Sequence, residues 1–540
     1  MTTASILFLS MLMRLAASGG EEASEEEPGQ DAEEDGEVII LVDEEDGAED
    51  AGKTDEPGDE PACPACTAAR FYFILEEVTG VDVRHETSAE DIIESLIRLD
   101  SGFAWKNPGG KFGAKAEARF DFLITGREGE EGDYERSRSE VRFDLREWYG
   151  EIITKPVDIT IGSQVLKFSK CDVLAPGDFL APFDMREPYR GEWSMERLPV
   201  LAVRTDWKLS TDLFITFALV PFFTSSRFDL YGTDQAILGP NSPELVTRLI
   251  GELEKVVHPS IEDRVRDALV ATEVPEEWGL NQSIALRIEK LTDVLEAGLT
   301  YLLTFGPMPE LEVNPDFMAA LVRFQAGDPA EAGRMISDII SRGDDFLSTK
   351  YRRMHVFAVD AAFEAGPLVI ATEVGWIPSM ILNGIDLTAL PVPVVNVETG
   401  LMTSSIQVQY NYGEVFFLAA EAAYARMLDP VAVSGGKPAD GGPPPTFMFG
   451  DETHQLVIAL ASRLTLLKGK LEWSVMGQAG VFDRSMILST RLSYEIAGRV
   501  RPFIGAVVYE VFGDRPDPDL SLTASRDFND EIFFGLRFVL

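Results

Sequence analysis

The stretch "SKCDVLAPGDFLAPFDMREPYRGEWSMER" (169–197) gathers Asp172, Asp178 and Asp184 with Arg186, Arg190 and Arg197, and stiffens them with Pro176, Pro182 and Pro188. Carboxylates and guanidiniums at this spacing can set up a local field, or pair and cap turns. They do not form a nucleophile beside a base. Elsewhere the chain offers little covalent chemistry. Its four histidines, His85, His258, His355 and His454, stand beside no recognisable nucleophile motif, so no catalytic residue is assigned and no enzyme is expected. Cys63 and Cys66 form "CPAC" without a second pair and without a following histidine. That spacing leaves a local disulfide or two free thiols rather than a haem or zinc site. Cys171 has no evident partner. No metal and no cofactor is expected.

The composition bounds what positions these groups. The chain has 540 residues and a formal net charge of −44, unevenly spread. Residues 21–60 hold 20 acidic residues against one lysine. Such a block reads as disordered, and with an acidic body it argues against a nucleic-acid partner. The apolar island Val38–Val42 inside it reads as a short break in the pattern. No stretch reaches the roughly 18 apolar residues of a membrane helix. The start has an apolar core from Ile6 to Met13 and small residues at 16–18, which resembles a secretory signal peptide. The expected organisation is a signal peptide over 1–18, an acidic disordered periplasmic segment over 19–67, and a β-domain over 68–540.

From about residue 68 the strand period dominates. "KFGAKAEARFDFLIT" sets Phe112, Phe120, Phe122 and Ile124 on one face and Arg119 and Asp121 on the other. "EVRFDLREWYG" opposes Val141, Phe143 and Leu145 to Arg142, Asp144 and Arg146. The same split puts Arg204 with Asp206, Arg287 with Glu289, and Arg491 with Glu495 on polar faces. The strands read as about 10–14 residues, longer than the roughly 5–6 of ordinary sheets and enough for a tilted membrane crossing. Short turns, such as Asn107–Gly110, Ala365–Gly366 and Tyr412–Gly413, alternate with longer links near 79–91, 126–138, 169–197, 222–280, 307–350, 378–400, 428–451 and 512–529. This alternation predicts an all-β, transmembrane antiparallel barrel of about 18 strands (16–18) with an aqueous lumen. "NSPELVTRLIGELEKVV" and "NPDFMAALVRFQAGDPAEAGRMISDIISRG" predict helical insertions in its outer loops.

The ending "DEIFFGLRFVL" alternates likewise. Ile532, Phe534, Leu536, Phe538 and Leu540 share one face. Gly535, Phe538 and Leu540 resemble the C-terminal signal read by barrel-assembly machinery, with Leu in place of the usual terminal aromatic and Phe533 at an expected polar position.

By this count 169–197 is the third long outer loop. The segment "REWYGEIITKPVDITIGSQVLKFSKCDVLAPGDFLAPFDMRE" with "ERLPVLAVRTDW" resembles a group of proteobacterial outer-membrane barrels related to alginate-export porins. Gly162, Gln164, Phe168, Asp172, Asp178, Asp184 and Arg204 are the matching positions, and Phe168–Ser169 replaces the group's Trp-Gly. "DAAFEAGPLVIATEVGW" resembles a strand pair of the same group, with Glu373 facing inward. The resemblance implies a Gram-negative outer-membrane channel for small polar solutes or an exported polysaccharide. As in general porins, the third loop would fold inward, its carboxylates facing wall arginines Arg119, Arg142, Arg146 and Arg204 across the lumen. Outer-membrane lipids, and divalent cations at the outer loops, are the other expected partners. The competing readings are a structural or partner-binding barrel with a closed lumen, and a barrel hydrolase.

Overall fold

The structure, a computed structural model, describes residues 68–82, 92–107, 109–127, 138–173, 175–184, 196–227, 271–273, 282–306, 310–344, 347–385, 394–434, 446, 453–482, 484–496, 498–512 and 530–539. The expected signal peptide, acidic segment and "CPAC" pair lie outside the described residues, as do the helix expected in "NSPELVTRLIGELEKVV", Arg186, Arg190 and Leu540.

Eighteen strands form one antiparallel sheet. They are β1 (Ala68–Asp82), β2 (Ile92–Lys106), β3 (Phe112–Arg127), β4 (Arg138–Ile153), β5 (Val157–Gln164), β6 (Val200–Lys208), β7 (Leu213–Val220), β8 (Ser283–Leu291) and β9 (Leu295–Phe305). There follow β10 (Arg353–Ala365), β11 (Leu368–Ile385), β12 (Val394–Tyr412), β13 (Phe416–Ser434), β14 (His454–Leu466), β15 (Leu471–Gly480), β16 (Ser485–Tyr494), β17 (Val500–Val511) and β18 (Glu531–Val539). Each pairs with its neighbours in sequence, and β1 pairs with β18 from Ile74↔Val539 to Asp82↔Glu531. The sheet therefore closes on itself and leaves no edge.

Side-chain alternation decides which face is inside. On β10, Met354, Val356, Ala358 and Asp360 are buried, while Phe357 and Val359 are exposed. Around the outside, Phe71, Phe143, Ile161, Leu299, Trp376, Ile458 and Ile504 are all exposed. An apolar band of this kind suits hydrocarbon and not water.

Two expected boundaries move. The link expected at 378–400 shrinks, because β11 runs on to Ile385 and β12 resumes at Val394. Pro378 ends neither strand; the register shifts between Ile377 and Met380 and absorbs it as an irregularity. Pro430 is absorbed likewise, beside Asp429 at φ 50°, so β13 continues to Ser434. The strands consequently run from 8 to 19 residues, a wider range than expected.

The closing seam depends on missing side chains. A Cβ on Gly535 would stand 1.9 Å from the Glu77 carbonyl oxygen and 2.4 Å from the Phe503 ring; one on Gly505 would stand 2.2 Å from the Phe533 ring. Phe533 is thus explained: it points inward and is fully buried with Val78, Ile487, Phe503, Val507 and Tyr509. The long link after β9 carries α1 (Pro315–Gln325) and α2 (Pro329–Arg342), broken at the expected Gly327–Asp328, and Asn314 caps α1 through the Asp316 N–H. Nearby, Ala271–Glu273, Glu310–Val313 and Leu347–Lys350 form a small separate sheet.

Candidate functional site

The chain leaves β5 at Gln164 and rejoins the wall at Val200, and the described residues next after β5, 165–173 and 175–184, fold into the ring. Leu166, Phe168 and Leu180 are buried in one cluster with the inward residues Met354, Val356, Ile377, Leu401 and Met427. Burial of each such side chain stabilises by about 1.5–3 kcal/mol, so the loop is seated against β10–β13.

Polar groups complete the seat. Glu373 Oε1 on β11 accepts from Ser169 Oγ at 2.9 Å and the Gly177 N–H at 3.2 Å. Glu421 on β13 accepts the consecutive N–H groups of Asp172 and Val173 at 2.9 and 3.1 Å. Gln407 on β12 donates to Asp172 at 2.8 Å and to Glu421 at 3.2 Å. Lys170 bonds to Glu296 and lies 3.6 Å from Glu289. Behind them, Arg287 forks onto Asp360 at 2.7 and 2.9 Å and meets Glu289 at 2.7 Å. Successive main-chain N–H groups form a concavity that receives an anion, and here wall carboxylates fill that role.

The loop's own acids face differently from expectation. Asp178 is 1% exposed; its Oδ1 accepts the Phe168 and Ser169 N–H groups at 2.5 and 2.7 Å, and Arg197 lies 3.5 Å from its Oδ2. It fastens the loop's own backbone rather than facing the wall. Asp172 pairs with Lys167 at 3.3 Å and with Gln407. Asp184 and the wall residue Asp144 share Arg227, at 3.9 and 2.5 Å. Over the fastened segment the polarity is the reverse of that expected: the wall brings carboxylates, and the loop brings N–H and ammonium groups.

The expected wall arginines are held by nearby acids. Arg119 pairs with Asp100 at 2.7 Å, Arg142 with Glu140 at 2.8 Å, and Arg204 with Asp206 at 3.0 Å. Asp121 binds Arg98 at 2.9 Å through two bonds. Arg146 lies within the register irregularity of β3 and β4, where Leu145 pairs with Ala118 and Trp148 with Ala116. Glu495 pairs with Arg501 at 2.6 Å. At the seam, Arg491 and Arg537 share Glu76, at 3.6 and 3.8 Å, and Arg491 lies 3.8 Å over the Phe503 ring.

Sequence reasoning missed Glu421, Gln407, Lys170, Glu296, Glu76, Arg98 and Arg537. Glu421 had a signal, being a carboxylate on the inward period of "FFLAAEAAYAR" between Ala419 and Ala423. His355 bonds to Tyr301 at 2.9 Å on the outward face, and His454 packs edge-on against Phe482; His85 and His258 lie outside the described residues. Cys171 is free and buried. Burial, with the charges of Glu421, Glu373 and Asp172, pushes its thiol far up and keeps it from forming thiolate. Among the described residues no group of three or more His, Cys, Asp or Glu could hold a metal ion.

No protein-family model matches the chain, so the alginate-export resemblance has no family match behind it, and no curated protein matches either. Among solved structures, the chain is similar to Acinetobacter baumannii OccAB1 at 10% identity, covering 87% of this chain and 96% of that one, with a TM-score of 0.42. It is similar to Pseudomonas aeruginosa OccK2 (OpdF), in complex with glucuronate, at 7% identity over 88% and 98%, with a TM-score of 0.42. It is also similar to Salmonella typhi OmpF, in complex with daunomycin, at 9% identity over 88% and 98%, with a TM-score of 0.37.

Proposed function

We propose that this chain is an outer-membrane channel of a Gram-negative bacterium, passing small polar solutes through a charged lumen narrowed by the inward loop 169–197. The supporting observation is the contrast between the two faces of one closed sheet. The outer face is apolar, while the inner wall carries part-exposed ion pairs from Arg98–Asp121 to Arg491–Glu76. A sheet packed around a solid core would place apolar groups there instead.

The charge is distributed unequally around the ring. The sector behind the loop holds Glu289, Glu296, Asp360, Glu373 and Glu421, with Arg287 and Lys170 paired among them. Across from it, the seam gathers Arg491 and Arg537 on one carboxylate. This supports a transverse field across the lumen, carried by two sectors of the wall. An exported polymer, as the alginate-export resemblance implies, is a second permeant class. The loop's apolar seat favours the other reading, a structural barrel with a closed lumen, since Leu166, Phe168 and Leu180 fill part of the interior. Recording from the purified chain in a planar bilayer separates the two. Discrete conductance steps support the channel; a folded, silent barrel supports the closed one.

A further inference from the structure

We propose that Glu421 and Glu373 of the barrel wall are the positioning residues of the inward loop, holding 168–173 and 175–178 as a releasable strap whose seating sets the free width of the lumen. The inference rests on the channel reading for its consequence, but not for its geometry.

Each carboxylate does what a neighbouring strand would otherwise do. The segment 165–173 has no strand partner, so its N–H groups need other acceptors. Glu421 takes those of Asp172 and Val173; Glu373 takes that of Gly177 and the Ser169 hydroxyl. Both ends of the strap, at Ser169 and Gly177, are thereby tied to β11, and its middle, at Asp172 and Val173, to β13. Asp178 ties the turn to itself through Phe168 and Ser169. The strap is rigid within, so release at the wall moves it as a unit. The polar wall ties are carried by side chains and backed by the apolar seat of Leu166, Phe168 and Leu180, whereas the surrounding barrel is held by continuous main-chain ladders. A segment held by side chains is released by removing them, which the ladders of the wall are not. A loop whose own acids set the lumen would instead leave them facing it, and Asp178 does not.

Cys171 lies between the two ties and is buried, so the chain carries its own reporter. The full chain with Cys63→Ser and Cys66→Ser, folded in detergent, is exposed to a charged methanethiosulfonate, and the mass increase at Cys171 is followed. The parent protein should label only on unfolding. Glu421→Ala should label at least about tenfold faster, as expected on losing charge-assisted hydrogen bonds, and Glu421→Ala/Glu373→Ala faster still. Glu421→Gln keeps one acceptor oxygen and should fall between. Glu495→Ala, which removes the partner of Arg501 on β17, should match the parent. If the alanine variants fail to fold, Glu421→Gln/Glu373→Gln serves in their place. Labelling no faster than the parent in variants that keep the compact barrel's electrophoretic migration overturns the proposal. In bilayers, Glu421→Ala should add open-channel noise; steady current with unmoved labelling also overturns it. Labelling as expected from a protein that passes no current removes the channel reading and leaves the strap.

Discussion

Arg287 and Asp360 meet through two hydrogen bonds of 2.7 and 2.9 Å, on strands that are not neighbours, with β9 between them. The guanidinium crosses β9 over Gly298, where a Cβ would come within 2.4 Å of it. Both groups are almost wholly buried, at 4% and 1% side-chain exposure. Removing one member of such a pair leaves an uncompensated charge and costs about 3–5 kcal/mol, while replacing both with apolar groups costs much less. Arg287→Met should therefore lower the urea midpoint of unfolding sharply, and Arg287→Met/Asp360→Leu should recover most of the loss. Equal losses in the single and double variants would refute the account of this pair.

Gly535 is a steric requirement of closure. Gly535→Ala would press a methyl group into the Glu77 carbonyl and the Phe503 ring. The seam should close slowly or not at all, read as a loss of the heat-modifiable compact band on gels. Gly477→Ala is the control: its nearest neighbour, Leu488 Cδ1, stands at 3.4 Å, an ordinary contact. That variant should fold as the parent does.

Asp178 separates shape from charge. Asp178→Asn keeps an oxygen for the Phe168 and Ser169 N–H groups and loses only the Arg197 attraction. Asp178→Ala orphans both N–H groups, at about 1–3 kcal/mol each. Trypsin cleavage of the folded protein after Lys167 or Lys170 should rise strongly in the alanine variant and slightly in the asparagine one. Equal cleavage in both would make the charge, and not the acceptor, the important part.

Much of this architecture is legible in the sequence, because the signals are local. Period-two faces such as Phe112–Ile124 show which side chains meet lipid, and turns such as Ala365–Gly366 and Tyr412–Gly413 divide the strands. Gly366 and Gly413 take φ of 61° and 53°, where glycine is least strained. Pro378 and Pro430 misled the boundaries, since a bulge can absorb a proline and only the paired strand reveals the bulge. The loop's fastenings were not legible for a different reason. Glu421 meets the Asp172 N–H across 249 residues of chain, and nothing local to either residue encodes that meeting. Asp178 stood out by type, yet the groups it binds through Oδ1 are the Phe168 and Ser169 N–H groups, of a kind nearly every residue carries. Phe533 looked misplaced on a polar face because its place is made by Gly505 on the next strand.

The central claim is that charged side chains of the inner wall face a path that ions take. The most direct measurement is the reversal potential under a salt gradient in a planar bilayer, for the parent and for Arg491→Gln/Arg537→Gln. Glu76 then loses both of its seam arginines, and the lumen gains negative charge. The account predicts discrete steps from both proteins and a shift of the reversal potential towards cations in the variant. An unchanged reversal potential, or a folded barrel that passes no current, would contradict it.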